Sequence, residues 1–596
     1  MGDVTLGDME IEEWRSFLTR WSGEWADAVE AVDRERGGRP GDAEARERRW
    51  LGFPAASDER TAALEARLGG VRLPPSYRSF LAVTDGWRHA GGFVRLLGVS
   101  DRVDWHGDPH GRGATWGDDA GFPADLWARS LQLAIESDLT DVLLDPADVG
   151  ADGEWAAYVY AGWAASPPER FASFAEAMRD LYRRWHALRA DEPGFVNGTT
   201  RALDAAVDEA ARASLAGEVA EPLSVLRTAA GFGRRRARAL LGEAEALLSR
   251  GGGGSWRGRR LGRGRGASFR APAVPEVYRP PGPFGDAVAA ARELARWGDT
   301  DGAWRVVAEA LPAWRPREGA ELLAPVGLLA DPVLGPVITP ERGRSILATP
   351  RGGAAAPVPS TPPPAAEPDG LAWLVDGGRR APYRLVLVEG VPPGELAARV
   401  GEGPLLDPVD ERELFRLRHG VSGWSSGPRP GLARVGTCGG GWSFAYESRP
   451  EPCHPGRRVA GPGSSASRGT RAVMVWSDAP GLFHVALAED GRETGRFTLD
   501  DWDAEPSRAG TIPEGLDPGP FFPAGGRRRE ADYLASLAEE SGVSLPRLAL
   551  TAGRLPAVRV PTWLAPLPPD APRISIGFLG ADPAPRPRSR GWPGGG

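Results

Sequence analysis

Residues 73–87 read Leu73-Pro74-Pro75-Ser76-Tyr77-Arg78-Ser79-Phe80-Leu81-Ala82-Val83-Thr84-Asp85-Gly86-Trp87, and this stretch decides how the chain is read. Proline inside a helix removes a donor and clashes with the preceding turn, but it is tolerated in the first turn. Leu73 to Ser76 therefore opens a helix, with Tyr77, Phe80, Leu81 and Thr84 on one face. Gly86 is the expected stop, because glycine takes a left-handed conformation without steric cost.

Upstream, Ser57 can cap a helix carrying Leu64 and Leu68 that ends near Gly69-Gly70. Before it, Trp14, Phe17, Leu18, Trp21, Trp25 and Val29 fall at helical spacing, which predicts a helix from about Glu10 to Ala31. The polar stretch Asp33 to Arg49 reads as a loop. Downstream, Phe93–Val99, Leu131–Ile135 and Trp155–Tyr160 are strand candidates. A closing helix is expected from Ser166 to Leu188, burying Phe171, Phe174, Met178, Leu181, Tyr182 and Trp185. Helices, then strands, then a helix predict an α+β domain over residues 9–190.

The remainder reads as further domains. Residues 199–348 show Ala/Leu patterns of helical hairpins, such as Ala237, Leu240, Leu241, Ala244 and Leu247, around a Gly/Arg-rich loop at 251–270. A Pro/Ala-rich linker covers 349–370, and a disordered tail is expected at 581–596. Residues 371–550 read as an α+β domain with strands at Tyr383–Val388, Trp442–Tyr446, Arg471–Trp476 and Leu482–Ala488. Asp490-Gly491, set before Glu493–Phe497, is a hairpin-turn signal, and a helix at Glu530–Glu540 precedes Gly542. The fold expected is thus multi-domain: an N-terminal α+β domain, an α-helical middle region and a C-terminal α+β domain.

Composition narrows the function classes. All 72 Lys+Arg residues are arginine, which GC-rich codons explain without invoking phosphate binding. The net charge of −8 argues against a nucleic-acid-binding protein as a whole. A P-loop is excluded because its lysine has no candidate. The acidic N-terminus lacks an apolar signal core, and the apolar run Leu322–Ile338 is broken by Asp331 and prolines, so no signal peptide or membrane span is expected. A cytoplasmic protein is the default.

The segments Trp50-Leu51-Gly52-Phe53-Pro54, Ala63-Leu64-Glu65-Ala66-Arg67-Leu68-Gly69 and Leu73 to Leu81, in this order and spacing, resemble the SUKH superfamily. Thr84-Asp85-Gly86-Trp87, Trp105, Asp152-Gly153-Glu154-Trp155 and Phe171-Ala172-Ser173-Phe174 continue the resemblance over about the first 190 residues. That group includes the Smi/Knr-type cell-wall regulator of yeasts and many bacterial immunity proteins. The resemblance implies an α+β fold that binds partner proteins: toxin neutralisation in bacteria, scaffolding in yeasts. Residues 371–545 resemble an uncharacterised bacterial family, the domain-of-unknown-function family numbered 6461. The resemblance rests on Trp373-Leu374, Leu387 to Val391, Gly440 to Glu447 and Ser467 to Thr470, and it brings no activity with it.

Candidate chemistry is sparse. Gly423-Trp424-Ser425-Ser426-Gly427 matches a nucleophile elbow, but Pro428 and Pro430 follow where the required helix would begin. His106, Asp108 and His110, following Trp105, could ligate a metal at three positions, and Cys438, Cys453 and His454 form another set that lacks a fourth ligand. The other histidines, His89, His186, His419 and His484, show no catalytic spacing, so no catalytic residue, metal site or cofactor is expected. Trp256 to Gly266 interleaves Arg with Gly, which suits either RNA or a linker, and the linker is preferred.

The acidic run Glu136, Asp138, Asp141, Asp145, Asp148, Asp152 and Glu154 contains no arginine. It reads as a solvated loop, as a partner-facing edge that steers a basic toxin or nuclease, or as a cation site, although no Asp-x-Asp-x-Asp-Gly loop is present to wrap the ion. Trp87, Trp105, Trp155 and Trp163 are either core residues or interface anchors. The partner-binding candidates are therefore Trp87, Trp105, Asp108, Asp138, Asp141, Asp145, Asp148, Glu154 and Trp155. The expected function is a non-enzymatic, immunity-type protein that occludes a toxin domain. A multi-partner scaffold is the alternative, and an enzyme through the C-terminal domain is less favoured.

Overall fold

The computed structural model describes residues 10–32, 40–91, 93–109, 111, 122–164, 166–249, 277–353, 369–375, 382–419, 431–450, 461–478, 482–499, 506–523, 529–561 and 563. The Gly/Arg-rich loop, most of the Pro/Ala linker, the Gly423–Gly427 motif and the 581–596 tail lie outside these residues. The chain combines helices with antiparallel sheets in two compact units. One takes in Met1–Arg292 and Ala303–Pro364, and the other Glu293–Gly302 and Ala365–Gly596.

The first unit opens with α1 (Ile11–Val32), α2 (Pro40–Glu47), α3 (Asp58–Arg67) and α4 (Pro75–Leu81). β1 (Trp87–Ala90), β2 (Val94–Leu97), β3 (Asp104–Trp105), α5 (Leu126–Arg129), β4 (Leu131–Gln132) and β5 (Ala134–Ser137) follow. β6 (Thr140–Val149), β7 (Trp155–Ala161), β8 (Glu169–Phe171) and α6 (Phe174–Arg189) complete the α+β part. One antiparallel sheet runs β1-β2-β5 and another β3-β4-β6-β7-β8. The aromatic stripe of α1 packs on α4 and α6: Trp14 lies 5.3 Å from Phe80 and 5.7 Å from Phe174, and Trp21 lies 5.2 Å from Tyr182. Each indole and ring thereby buries a large apolar area, the main stabilising term of this core.

Besides the closing helix, which begins at Phe174 rather than Ser166 because Glu169–Phe171 forms β8, three local expectations need correction. The 33–49 loop holds α2, whose Ala45 is buried and whose Asp42 meets the His89 ring at 2.7 Å. Gly86 does not stop α4, which ends at Leu81. Gly86 instead sits at φ 108°, where an added Cβ would lie 2.4 Å from the Val99 side chain, so it permits close packing. Thr84 likewise leaves the helix, and its hydroxyl accepts the Phe53 N–H at 2.8 Å. The third correction is β6, a ten-residue strand where the acidic run invited a loop.

The same unit continues with α7 (Gly198–Leu215), α8 (Ala220–Gly231), α9 (Arg235–Leu248), α10 (Gly282–Arg296), α11 (Thr300–Ala310), α12 (Gly327–Ala330) and α13 (Pro340–Ala348); α10 and α11 run into the second unit's 293–302 segment. A buried polar node joins these helices to the α+β part. Glu24 on α1 accepts from Tyr182 Oη at 2.5 Å and from the Thr199 N–H at 3.2 Å, and its Oε2 lies 3.0 Å from His186 Nε2. Burial alone would raise this carboxyl, but the bonds from His186, Tyr182 and Thr199 together outweigh it and hold it below the ordinary carboxylate value. Arg351, also buried, donates to the carbonyls of Leu323, Ile346, Leu347 and Thr349, which satisfies the open end of α13.

The second unit contains β9 (Tyr383–Glu389), α14 (Pro393–Val400), β10 (Glu402–Val409), α15 (Glu411–His419), β11 (Gly431–Cys438) and β12 (Trp442–Ser448). α16 (Gly463–Ala466), β13 (Arg471–Ser477), β14 (Phe483–Glu489), β15 (Arg492–Leu499) and β16 (Ser507–Gly510) precede α17 (Glu530–Ser541), α18 (Arg547–Thr551) and β17 (Leu555–Val560). Its nine-stranded sheet has the order β10-β17-β11-β12-β9-β13-β14-β15-β16. Leu385, Leu387, Phe483 and Val485 face Tyr533, Leu534 and Leu550 on one side, while Val386, Val388 and Met474 face Leu396, Val400 and Ala466 on the other. Both faces are therefore covered, which is why β9 and β13 read as continuous apolar runs. The Asp490-Gly491 hairpin forms as read, with φ 45° and 78°, and Gly542 ends α17 in the left-handed conformation.

Candidate partner-binding surface

The acidic run does not form one open negative face. β6 alternates, so Val142 and Leu144 enter the main core while Asp141, Leu143 and Asp145 face α5. There Asp141 accepts from the Trp127 indole at 3.0 Å. Asp145 accepts two bonds from Arg129, at 3.0 and 2.6 Å, and a third from the Ala147 N–H. Further along, Asp148 takes two 2.7 Å bonds from Arg170 and one from Tyr158 Oη. The Arg170 guanidinium, aided by Tyr158, holds the Asp148 carboxyl below its ordinary range despite partial burial. Glu154 is buried too, accepting from both Ser76 N and Ser76 Oγ at 2.6 Å. It ties the β6–β7 turn to the first turn of α4, where backbone donors are open.

The tryptophans divide similarly. Trp87 is 0% exposed, wedged between Trp21 and Trp50 at 5.6 and 5.5 Å, and Trp155 is core at 5%. Trp105 is half-buried on β3. Asp108 occupies a turn at φ 45°, its N–H donating to His106 Nδ1 at 3.1 Å. Of the nine candidates, Asp138 is exposed, and it lies beside residues that its sequence neighbourhood does not join to it.

Three turns meet at that end of the unit. Asp138 N–H donates to the Phe93 carbonyl at 2.8 Å, and Gly162 N–H donates to the Leu139 carbonyl at 2.8 Å. These bonds fix the β1–β2, β5–β6 and post-β7 turns to one another. On the platform so made, Trp163 packs against Phe93 with ring centroids 4.9 Å apart, yet Trp163 remains 56% exposed. Leu139, beside it, is 60% exposed and held at φ 51°. A bulky non-glycine residue in that region carries strain of order 1–2 kcal/mol. Glu136 and Asp138 flank the patch, Glu136 reaching Arg102 at 3.1 Å in an exposed pair. An exposed, prepositioned tryptophan and leucine rimmed by carboxylates can insert into an apolar pocket with a basic margin. Trp163 had been weighed from sequence as core or anchor. Phe93 and Leu139 carried no local signal, because three separate turns bring them together.

His484 is buried, its Nδ1 2.8 Å from Thr498 Oγ1 across the β14–β15 ladder, and burial with the nearby Arg496 charge lowers its pKa to about 4. Burial also pushes the free Cys438 thiol upward. Cys453, His454 and His110 lie outside the described residues. Among the described residues no three His, Cys, Asp or Glu side chains are grouped to hold a metal ion, and no helix is long and apolar enough to cross a membrane. No family model, curated protein or solved structure matches the chain.

Proposed function

We propose that the chain is a protein-binding, non-enzymatic protein whose N-terminal part is a SUKH-type domain, acting in the cytoplasm as an immunity-type protein that covers a toxin's functional surface. The Trp163–Leu139–Phe93 tip is the contact surface in this reading. The observation that carries it is the exposure of Trp163 and Leu139 on turns locked by backbone hydrogen bonds. A rigid apolar anchor loses little conformational freedom on binding, so more of its buried area appears as affinity. Asp138 at the tip suits a basic partner; with Asp152 and with Glu136, which is paired to Arg102, it is the exposed part of the acidic run, while Asp141, Asp145, Asp148 and Glu154 are bonded within the fold.

Affinity purification of the full chain from its native host, beside a Trp163→Ala/Leu139→Gly variant, tests this. One stoichiometric partner held by the parent and lost by the variant is the expected result. Several unrelated partners would favour the scaffold reading, and a partner held equally by both forms would remove the tip from the interface.

A further inference from the structure

In the helical part of the first unit, two buried charged side chains grip one residue of an irregular segment. The Leu323 N–H donates to Glu243 Oε2 on α9 at 2.9 Å, and the Leu323 carbonyl accepts from Arg351 Nε at 2.6 Å. Leu323, Ala324 and Val326 are buried at this point, whereas residues 317–321 are exposed. Residues 317–326 therefore form an exposed arch anchored at one end.

The two grips differ in how each charge is satisfied. Arg351 also reaches the carbonyls of Ile346, Leu347 and Thr349. Glu243 has the one backbone donor, and it makes no ion pair with Arg351. The other charges around it bring no relief. Glu321, on the arch itself, is a like charge. Arg236 on α9 is taken by Glu321 at 2.6 Å and by Asp208 of α7, and Arg227 of α8 pairs with Glu245 at 3.3 Å. On α13, Arg342 donates to the Val337 carbonyl and Arg344 is exposed. A buried carboxylate with a single neutral donor favours its protonated form. Burial raises this carboxyl from 4.5 to about 7, with the Leu323 N–H opposing and the Glu321 charge adding to the rise.

We propose that the Glu243–Leu323 contact is a pH-operated latch: protonated Glu243 keeps the 317–326 arch shut against α9, and its ionisation releases the arch while the rest of the unit stays folded. Once released, the carboxylate meets water and titrates at its ordinary value. The opening equilibrium is thus lowest below pH 4.5, climbs as pH rises towards about 7, and is level above that.

Hydrogen exchange by mass spectrometry on the full chain, with each rate divided by the intrinsic amide rate at that pH, reads this equilibrium. For a peptide carrying residues 320–326 of the parent it should rise at least tenfold from pH 5 to 7 and level off by pH 8. Glu243→Gln, which keeps an oxygen for the Leu323 N–H, should remove that rise. The exposed Glu321→Gln, which takes away the like charge, should make the rise level off at lower pH. A flat profile in the parent, or the same rise in Glu243→Gln, would overturn the latch. A Glu243-dependent rise shared by peptides of α6 would overturn it too, because the opening would then be global unfolding.

Discussion

Leu139 shows how one residue can separate folding from binding. Its φ of 51° suits glycine, and its side chain is mostly in solvent, so Leu139→Gly relieves strain while removing little packing. Glycine's greater unfolded-state freedom offsets that relief, and stability is expected to change by no more than about 0.5 kcal/mol in urea unfolding. Glu243 makes a different prediction. It is buried on α9, accepts only a weakly compensating Leu323 N–H at 2.9 Å, and burial pushes its pKa up from 4.5 to about 7. The folded state then favours the protonated form, a stabilisation fully present below pH ~4.5 and lost as pH rises through about 7. The melting temperature of Glu243→Gln should therefore gain on the parent between pH 5 and 8; a constant difference across that range would refute the assignment.

The strands show what sequence could and could not disclose. β9, β13 and β14 were legible because they are apolar on both faces, and the Asp490-Gly491 turn because its backbone demands those residue types. β6 was not, since Asp141, Asp145, Pro146 and Asp148 depress strand propensity and their partners, Trp127, Arg129 and Arg170, come from elsewhere in the chain. Its period-2 alternation of Thr140, Val142 and Leu144 with Asp141, Leu143 and Asp145 was present but masked by charge. Asp145→Ala leaves Arg129 beside a buried vacancy and should cost about 3 kcal/mol by chemical denaturation, with the surface pair Glu136–Arg102 costing under ~1 kcal/mol when broken. β17 lies past residue 550, where sequence ended the C-terminal domain, yet it pairs with both β10 and β11. A chain ended at Leu550 should lose amide hydrogen-exchange protection across β10 and along β11's β17-facing edge; retained protection would contradict this pairing.

At the scale of the whole molecule, most of the striking sequence features turn inward. The tryptophan-rich helix, the acidic run and the Thr84–Trp87 motif build the fold of the first unit, leaving the tip formed by three turns as its prepositioned apolar surface. That surface was only partly legible: Asp138 and Trp163 stood out by type, but their proximity depends on backbone bonds between turns distant in sequence. The second unit adds a sheet covered on both faces at its central strands, where the buried Arg384–Glu447 pair, 3.2 Å apart across neighbouring strands and with Arg384 stacked 3.9 Å over Trp476, braces the core. The most direct test of the tip as the binding surface is the equilibrium dissociation constant for the co-purified partner, measured for the parent, Trp163→Ala and Leu139→Gly alongside their melting temperatures. A loss of affinity of tenfold or more in both variants, with melting temperatures held, is the predicted result; unchanged affinity in both would contradict it.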